Sequence, residues 1–192
     1  MAAKVNDIVA GKYNHTGESI IYGDTDSVYF TAHKTLQNDI DAGKITWSKE
    51  SVIALYDKIA EEMNTTFTGF MTKAFHCPHT RGAVIKAGRD LVASKGLFIT
   101  KKRYALLYYD IEGERTDNAG KEGKMKAMGL DLKRSDTPVF VQNFLSDILY
   151  MVLIGKTEKQ VLDRIGEFRS EFKARPGWEK GSPKRANNVT KY

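Results

Sequence analysis

Between two β-prone runs, Ser19-Ile20-Ile21-Tyr22 and Val28-Tyr29-Phe30-Thr31, the chain carries Gly23-Asp24-Thr25-Asp26-Ser27. Carboxylates two residues apart share one side of a strand or converge at a hairpin tip, where their summed charge favours a hard divalent cation. Gly23 lets the backbone turn with no side chain in the way. Asp, Thr, Ser and Gly are also what any hairpin turn uses, so composition alone leaves a metal site and a plain turn both standing. A second cluster, Lys101-Lys102-Arg103-Tyr104, opens the apolar run 104–109. Read as a strand, it puts Lys102 and Tyr104 on one face and Lys101 and Arg103 on the other, so only part of it can touch one surface at once. Lysines along a minor groove meet phosphates and base acceptors common to every base pair, a chemistry blind to sequence. The plain alternative is an exposed basic start to a buried strand.

Two further groupings invite chemistry and decline it. His76-Cys77-Pro78-His79 offers at most three zinc ligands in one short stretch, with no partner cluster elsewhere, and reads as a structural loop. Asp110-Ile111-Glu112 reads as the polar end of a strand. Cys77 is the only cysteine, so no intrachain disulfide can form and nothing implies an oxidising compartment. No apolar run approaches the roughly 20 residues that cross a bilayer, and the first residues lack the apolar core of a signal peptide. A soluble, cytoplasmic protein is the expectation, in the host cytoplasm if the source is viral.

The elements that must position these residues follow from periodicity. Residues 3–13 read as the end of a helix, with Val5, Ile8 and Val9 at helical spacing and no cap before them. Residues 18–31 read as a hairpin with a polar tip, and 33–47 as loop and turn. From Ser48 to about Phe75, the spacing of Val52, Leu55, Ile59, Met63, Phe67 and Phe70 predicts a helix capped by Ser48. Three strands are expected at 83–85, 91–93 and 104–109, separated by Gly88 and by Lys95-Gly96. A glycine-rich surface loop over 112–129 would hold a short strand near Met125–Leu130. Thr137 or Asp136 should cap a helix over about 138–154 with Pro138 in its first turn, followed after Gly155 by another over about 158–173. Beyond Pro176 no core element is expected. The fold class is α+β, β-rich first and helical afterwards, with a boundary near residue 130.

The 192 residues hold 30 Lys and Arg against 24 Asp and Glu, a net charge of +6. Residues 1–100 are neutral, with 11 of each sign, so the excess lies entirely in 101–192. A polyanionic partner suits that arrangement, as does a solvated basic surface. The hydrophobic content of 41% excludes disorder as the main description.

The string Tyr22-Gly23-Asp24-Thr25-Asp26-Ser27 resembles the third palm motif of family B DNA polymerases, and Lys101-Lys102-Arg103-Tyr104 resembles that family's downstream Lys-Lys-x-Tyr element. Met128-Gly129-Leu130, Ser135-Asp136-Thr137-Pro138 and the late Ala186-Asn187-Asn188-Val189-Thr190-Lys191-Tyr192 resemble the palm-to-thumb passage of polymerases from T-even-like bacteriophages. The resemblance implies an antiparallel palm sheet with packed helices over 1–129 and the start of a helical thumb over 130–192. It implies nucleotidyl transfer from dNTP to a primer 3′ hydroxyl on primer–template DNA, with two Mg²⁺ ions in the assembled site. By position in the motif, Asp26 is the direct metal ligand and Asp24 a supporting carboxylate, while Thr25 and Ser27 pin the turn beside Tyr22 and Gly23. Lys101, Lys102, Arg103 and Tyr104 take the duplex, with Lys184-Arg185 a further candidate for template backbone. Asp110-Ile111-Glu112 has the Asp-x-Glu form of the family's first exonuclease motif but stands in the wrong order for it.

The family's first palm motif, with its Ser-Leu-Tyr-Pro-Ser core, has no counterpart here, nor does the fingers helix of the Lys-Asn-Ser-x-Tyr-Gly type. The expectation is therefore a partial or split polymerase, inactive alone, whose partner chain supplies the exonuclease, the first palm motif and the fingers; a sliding clamp is a further expected partner. The competing class is a non-catalytic duplex-DNA-binding or assembly subunit derived from a polymerase. An unrelated metal-dependent nuclease would need more carboxylates near Asp24 and Asp26, and Glu18, Asp110 and Glu112 form no defensible pattern.

Overall fold

The longest apolar stripe in the sequence becomes the spine of the first half. The computed structural model describes residues 19–118, 120–130, 132 and 134–182, without the side chains of 34 and 35. The expected helix at 3–13, Glu18, Lys184-Arg185 and the stretch 186–192 lie outside the described residues. Ser48 and Ser51 form a reciprocal capping box, each hydroxyl taking the other's backbone N–H, and start the helix Lys49–Phe75, named α2 here. Val52, Ile59, Met63 and Phe67 are its buried stripe. The helix ends where His76 turns left-handed at φ 52, its N–H and that of Cys77 both donating to the Met71 carbonyl.

A hairpin of β1 (Ile20–Asp24) and β2 (Ser27–Phe30) stands on this helix. Its foot, Ile20 and Phe30, packs on Met63 and Phe67, and the Phe30 ring meets the Tyr56 ring edge-on at 5.1 Å. Tyr56 also accepts the Ala32 N–H at 3.3 Å. Between hairpin and helix, the segment expected as loop contains α1 (His33–Asp41). Its sequence hid it: Ala32 at the N-cap makes no side-chain bond, and only Leu36 and Ile40 mark an apolar face. Leu36 is fully buried, and tertiary packing outweighs the weak local signal.

The expected strand at 83–85 does not form. Its place is taken by a 3₁₀ helix, His79–Val84, and an irregular run whose polar groups are met by α2. Asn64 both donates to the Ala87 carbonyl at 2.9 Å and accepts its N–H at 2.7 Å, doing for that backbone what a neighbouring strand would do. Gly82 lets the run lie against α2, since an added Cβ would come within 3.0 Å of Thr68 Cα. Val84 and Ile85 are left exposed.

Strands β3 (Leu91–Thr100) and β4 (Arg103–Ile111) are each longer than expected. Lys95-Gly96, read as a break, runs inside β3; a Cβ at Gly96 would sit 2.8 Å from Leu106 Cδ2, so the glycine answers a close approach. β4 is central, flanked by β3 and β5 (Glu114–Arg115), and pairs antiparallel with β6 (Lys124–Met128) in the register Tyr104 to Met128 through Tyr108 to Lys124. Ala105, Leu107 and Ala127 face a core completed by Leu132 and Leu153, with Leu145, Leu149 and Tyr150 from α3 (Val139–Leu153) packed against it. Pro138, not the expected Thr137 or Asp136, is the N-cap of α3, and its ring offers no acceptor for a side-chain cap; Asp136 is engaged by Arg134 at 2.9 Å. Thr157 and Gln160 form the capping box of α4 (Glu158–Ala174), whose Phe168 stacks parallel on Phe144 at 3.7 Å. A single-turn α5, Gly177–Lys180, follows Pro176 and buries no residue, so it adds no core element.

The architecture is α+β. Two units divide it: Met1–Val92 with Asp110–Glu114, and Ala93–Tyr109 with Arg115–Tyr192. The first holds 10 basic and 14 acidic residues, the second 20 basic and 10 acidic, so their net charges are −4 and +10. Among the described residues no helix is long and apolar enough to cross a membrane.

Candidate active site

The hairpin tip is a two-residue turn, Thr25-Asp26, with Asp24 facing Ser27 in register. Such short turns usually use left-handed residues, and neither Thr25 nor Asp26 is one. Side-chain hydrogen bonds hold the tip instead. Asp24 Oδ1 accepts the Thr25 N–H at 3.0 Å and its hydroxyl at 3.3 Å, while Oδ2 accepts the Tyr22 hydroxyl at 3.3 Å. Tyr22 is steadied in turn by the Tyr29 ring, 5.8 Å away. Thr25 thus binds the turn as expected, whereas the exposed Ser27 hydroxyl makes no bond among the described residues.

The two carboxylates therefore differ in kind. Asp24 is half-buried and committed to the turn; Asp26 is exposed, with no hydrogen bond or ion pair among the described residues. An exposed carboxylate beside one already oriented is a suitable oxygen donor set for Mg²⁺, which accepts one or two carboxylates and fills its remaining positions from water and phosphate. Among the described residues no group of three or more His, Cys, Asp or Glu side chains converges as a metal cage.

Lys101-Lys102-Arg103-Tyr104 is not a strand throughout. Lys101 and Lys102 form the turn between β3 and β4, with Lys102 left-handed at φ 62, and β4 begins at Arg103. The alternation expected of four strand residues is replaced by a tip on which Lys101, Lys102 and Arg103 are all exposed. Arg103 Nε donates to the Gly129 carbonyl at 3.2 Å. Tyr104 parts company with them: only 8% exposed, it stacks on Phe98 at 5.6 Å and belongs to the sheet. The acidic tip lies in the first unit and the basic tip in the second.

The most consequential polar cluster was missed by sequence reasoning. Asp110, taken as a polar strand end, is 2% exposed and ion-paired with Arg89, which also holds Asp57 of α2 at 2.6 Å. Asp110 additionally accepts the Gly113 N–H at 3.2 Å. Burial pulls the Arg89 guanidinium down, but its hydrogen bonds to Asp57 and Asp110, with their charges, outweigh that and push it up. The available signal was an aspartate adjoining a strongly apolar strand, which needs a charged or hydrogen-bonding partner once it is buried. That role removes Asp110 from any exonuclease or nuclease site. Glu112 is a left-handed turn residue at φ 50, and in the His76–His79 stretch Cys77 Sγ points to the Pro78 carbonyl at 3.6 Å.

Comparison with known proteins places the chain in a family. Residues 2–175 match the model of DNA polymerase family B. The chain is 31% identical to the DNA-directed DNA polymerase of Escherichia phage RB69 over 98% of its own length and 21% of the relative's, and 27% identical to that of Enterobacteria phage T4 over 100% and 22%. It is also 28% identical to the DNA polymerase alpha catalytic subunit of Oxytricha trifallax, over 83% of this chain and 8% of that one. The chain thus spans about a fifth of the length of the phage relatives it matches. With the family model matched over residues 2–175, most of its length, this chain belongs to the family B DNA polymerases.

Proposed function

We propose that this chain is palm, passing near residue 130 into the start of a thumb, of a DNA-directed DNA polymerase. The observation that carries the proposal is the pairing at the acidic tip of one oriented carboxylate, Asp24, with one exposed and unengaged carboxylate, Asp26. In the reaction the primer 3′ oxygen forms a bond to the dNTP α-phosphorus as the bond to pyrophosphate breaks. Asp26 would hold Mg²⁺, two ions in the assembled site with Asp24 beside them, and bound metal supplies charge neutralisation at the entering and leaving oxygens. Asp24 keeps the tip rigid through Thr25 and Tyr22, so that Asp26 is presented at a fixed place. Lys101 and Lys102 take duplex phosphates, a contact suited to an enzyme that must ignore sequence. Another polymerase segment, carrying the first palm motif and the fingers, completes the carboxylate set and binds the triphosphate.

The test is primer extension with Mg²⁺ by this chain, by the complementary segment, and by the two mixed. Activity confined to the mixture is expected. Activity of this chain alone would overturn the need for a partner. A mixture that assembles and stays inactive would favour the second reading, a non-catalytic duplex-DNA-binding or assembly subunit, which draws on the +10 charge of the second unit.

A further inference from the structure

We infer that Gly129 is a positioning residue for the basic tip, setting the backbone from which Lys102 meets nucleic acid; this rests on the DNA-contact reading above. Lys102 sits at φ 62, a left-handed conformation that a non-glycine residue keeps only when its surroundings over-determine it. Those surroundings centre on Gly129. It is itself left-handed at φ 63, and an added Cβ would overlap the Lys102 carbonyl oxygen and lie 3.1 Å from Arg103 Cγ. Two successive residues of the basic cluster thus rest against one glycine. The Arg103 Nε–H donated to the Gly129 carbonyl closes the approach from the other side. Strand register explains the meeting: Met128 pairs with Tyr104, so β6 delivers the next residue level with the turn. The Nε–H of Arg103 is thus spent within the protein.

The opposite end of β6 supplies an internal control. Gly123, at φ 137, has no room for a Cβ either, because that atom would overlap the Tyr108 carbonyl oxygen. β6 is thus held against β4 by a glycine at each end, and only one of those ends adjoins the basic turn. A Cβ at either end injures the sheet; only at Gly129 should it move Lys102.

The full chain, bound to a fluorescein-labelled primer–template duplex, would be followed by anisotropy across a salt series. Lys102→Gly tolerates the left-handed backbone while removing the ammonium, and should make the slope of log affinity against log salt shallower by about 0.9, the value for one phosphate no longer neutralised. Gly129→Ala should flatten the slope similarly and add nothing to it in the Lys102→Gly background. Gly123→Ala should lower the melting temperature with the slope unchanged. A wild-type slope in Gly129→Ala, or a change that adds fully to that of Lys102→Gly, would overturn the inference. If Lys102→Gly itself leaves affinity and slope intact, the DNA-contact reading fails and this inference falls with it. Should Gly129→Ala not fold, Arg103→Lys keeps the charge and removes the Nε–H bond; it should flatten the slope only where Lys102 is present, and a wild-type slope there would also refute the role.

Discussion

The acidic and basic tips are both two-residue turns between antiparallel strands, yet they are built by opposite means. At Thr25-Asp26 the backbone is ordinary and a side chain, Asp24, gathers the turn with three hydrogen bonds. At Lys101-Lys102 the second residue, Lys102, is left-handed and lies against a glycine at the end of a neighbouring strand. The acidic tip crowns a two-stranded ribbon whose foot alone is packed, whereas the basic tip opens a strand buried over most of its length. The difference teaches where each site is vulnerable: the first through its carboxylates, the second through packing that sequence does not label as functional.

The sharpest break in the comparison is expected at Asp26. In the assembled enzyme, Asp26→Asn should cost on the order of 10³-fold or more in primer extension, several kcal/mol of transition-state stabilisation, while circular dichroism and melting stay near wild type. Near-normal extension would remove Asp26 from the metal site. Asp110→Ala should do the reverse, destabilising the chain by about 3–5 kcal/mol because Arg89 loses its buried partner and keeps only the half-exposed Asp57. Urea unfolding would measure it, and a loss under about 1 kcal/mol would show that the pair is solvated. Asp24→Asn should fall between, at roughly 10–100-fold in extension, since it loosens the tip without removing the exposed ligand. A loss as large as that of Asp26→Asn would make Asp24 an equal ligand.

The smallest expected effect concerns the foot of the acidic hairpin and is read by pH. Burial raises the Tyr56 phenol above its ordinary value of 10.0, against the lowering pull of hydrogen bonds from Ala32 and Thr31. Because the folded value is the higher, the stabilisation is complete below pH 10 and is lost as pH rises through the folded value, where the unfolded chain has already released its proton. Thermal melts above pH 10 should therefore fall more steeply for wild type than for Tyr56→Phe. Equal slopes would place the phenol in solvent.

Legibility followed how local each cause was. The helix at 49–75 could be read because Ser48 and a four-residue apolar repeat act within a few turns. α1 could not, since its one fully buried side chain among the described ones, Leu36, is recognised only against the rest of the first unit. Ala83-Val84-Ile85 has the composition of a strand, yet Asn64 satisfies the neighbouring backbone in place of a strand partner. The acidic hairpin was legible as a hairpin, because two β-prone runs flank a polar stretch, but its strands run on through Asp24 and from Ser27, leaving a two-residue turn inside the five-residue tip. At the basic cluster the residue types were legible but their geometry was not: the turn falls inside the cluster, and what holds it lies 27 residues downstream at Gly129.

By itself the sequence determined the α+β class, the family, and the pair of motifs that identifies it, because those depend on residue order and short-range periodicity. Only the tertiary structure decided which carboxylate is committed to the turn and which stands exposed, that Asp110 is an internal counter-ion, and that Tyr104 leaves the basic surface for the sheet. Each of those distinctions is a matter of burial and of partners far apart in the chain, and identical aspartates acquire opposite roles through solvent access alone.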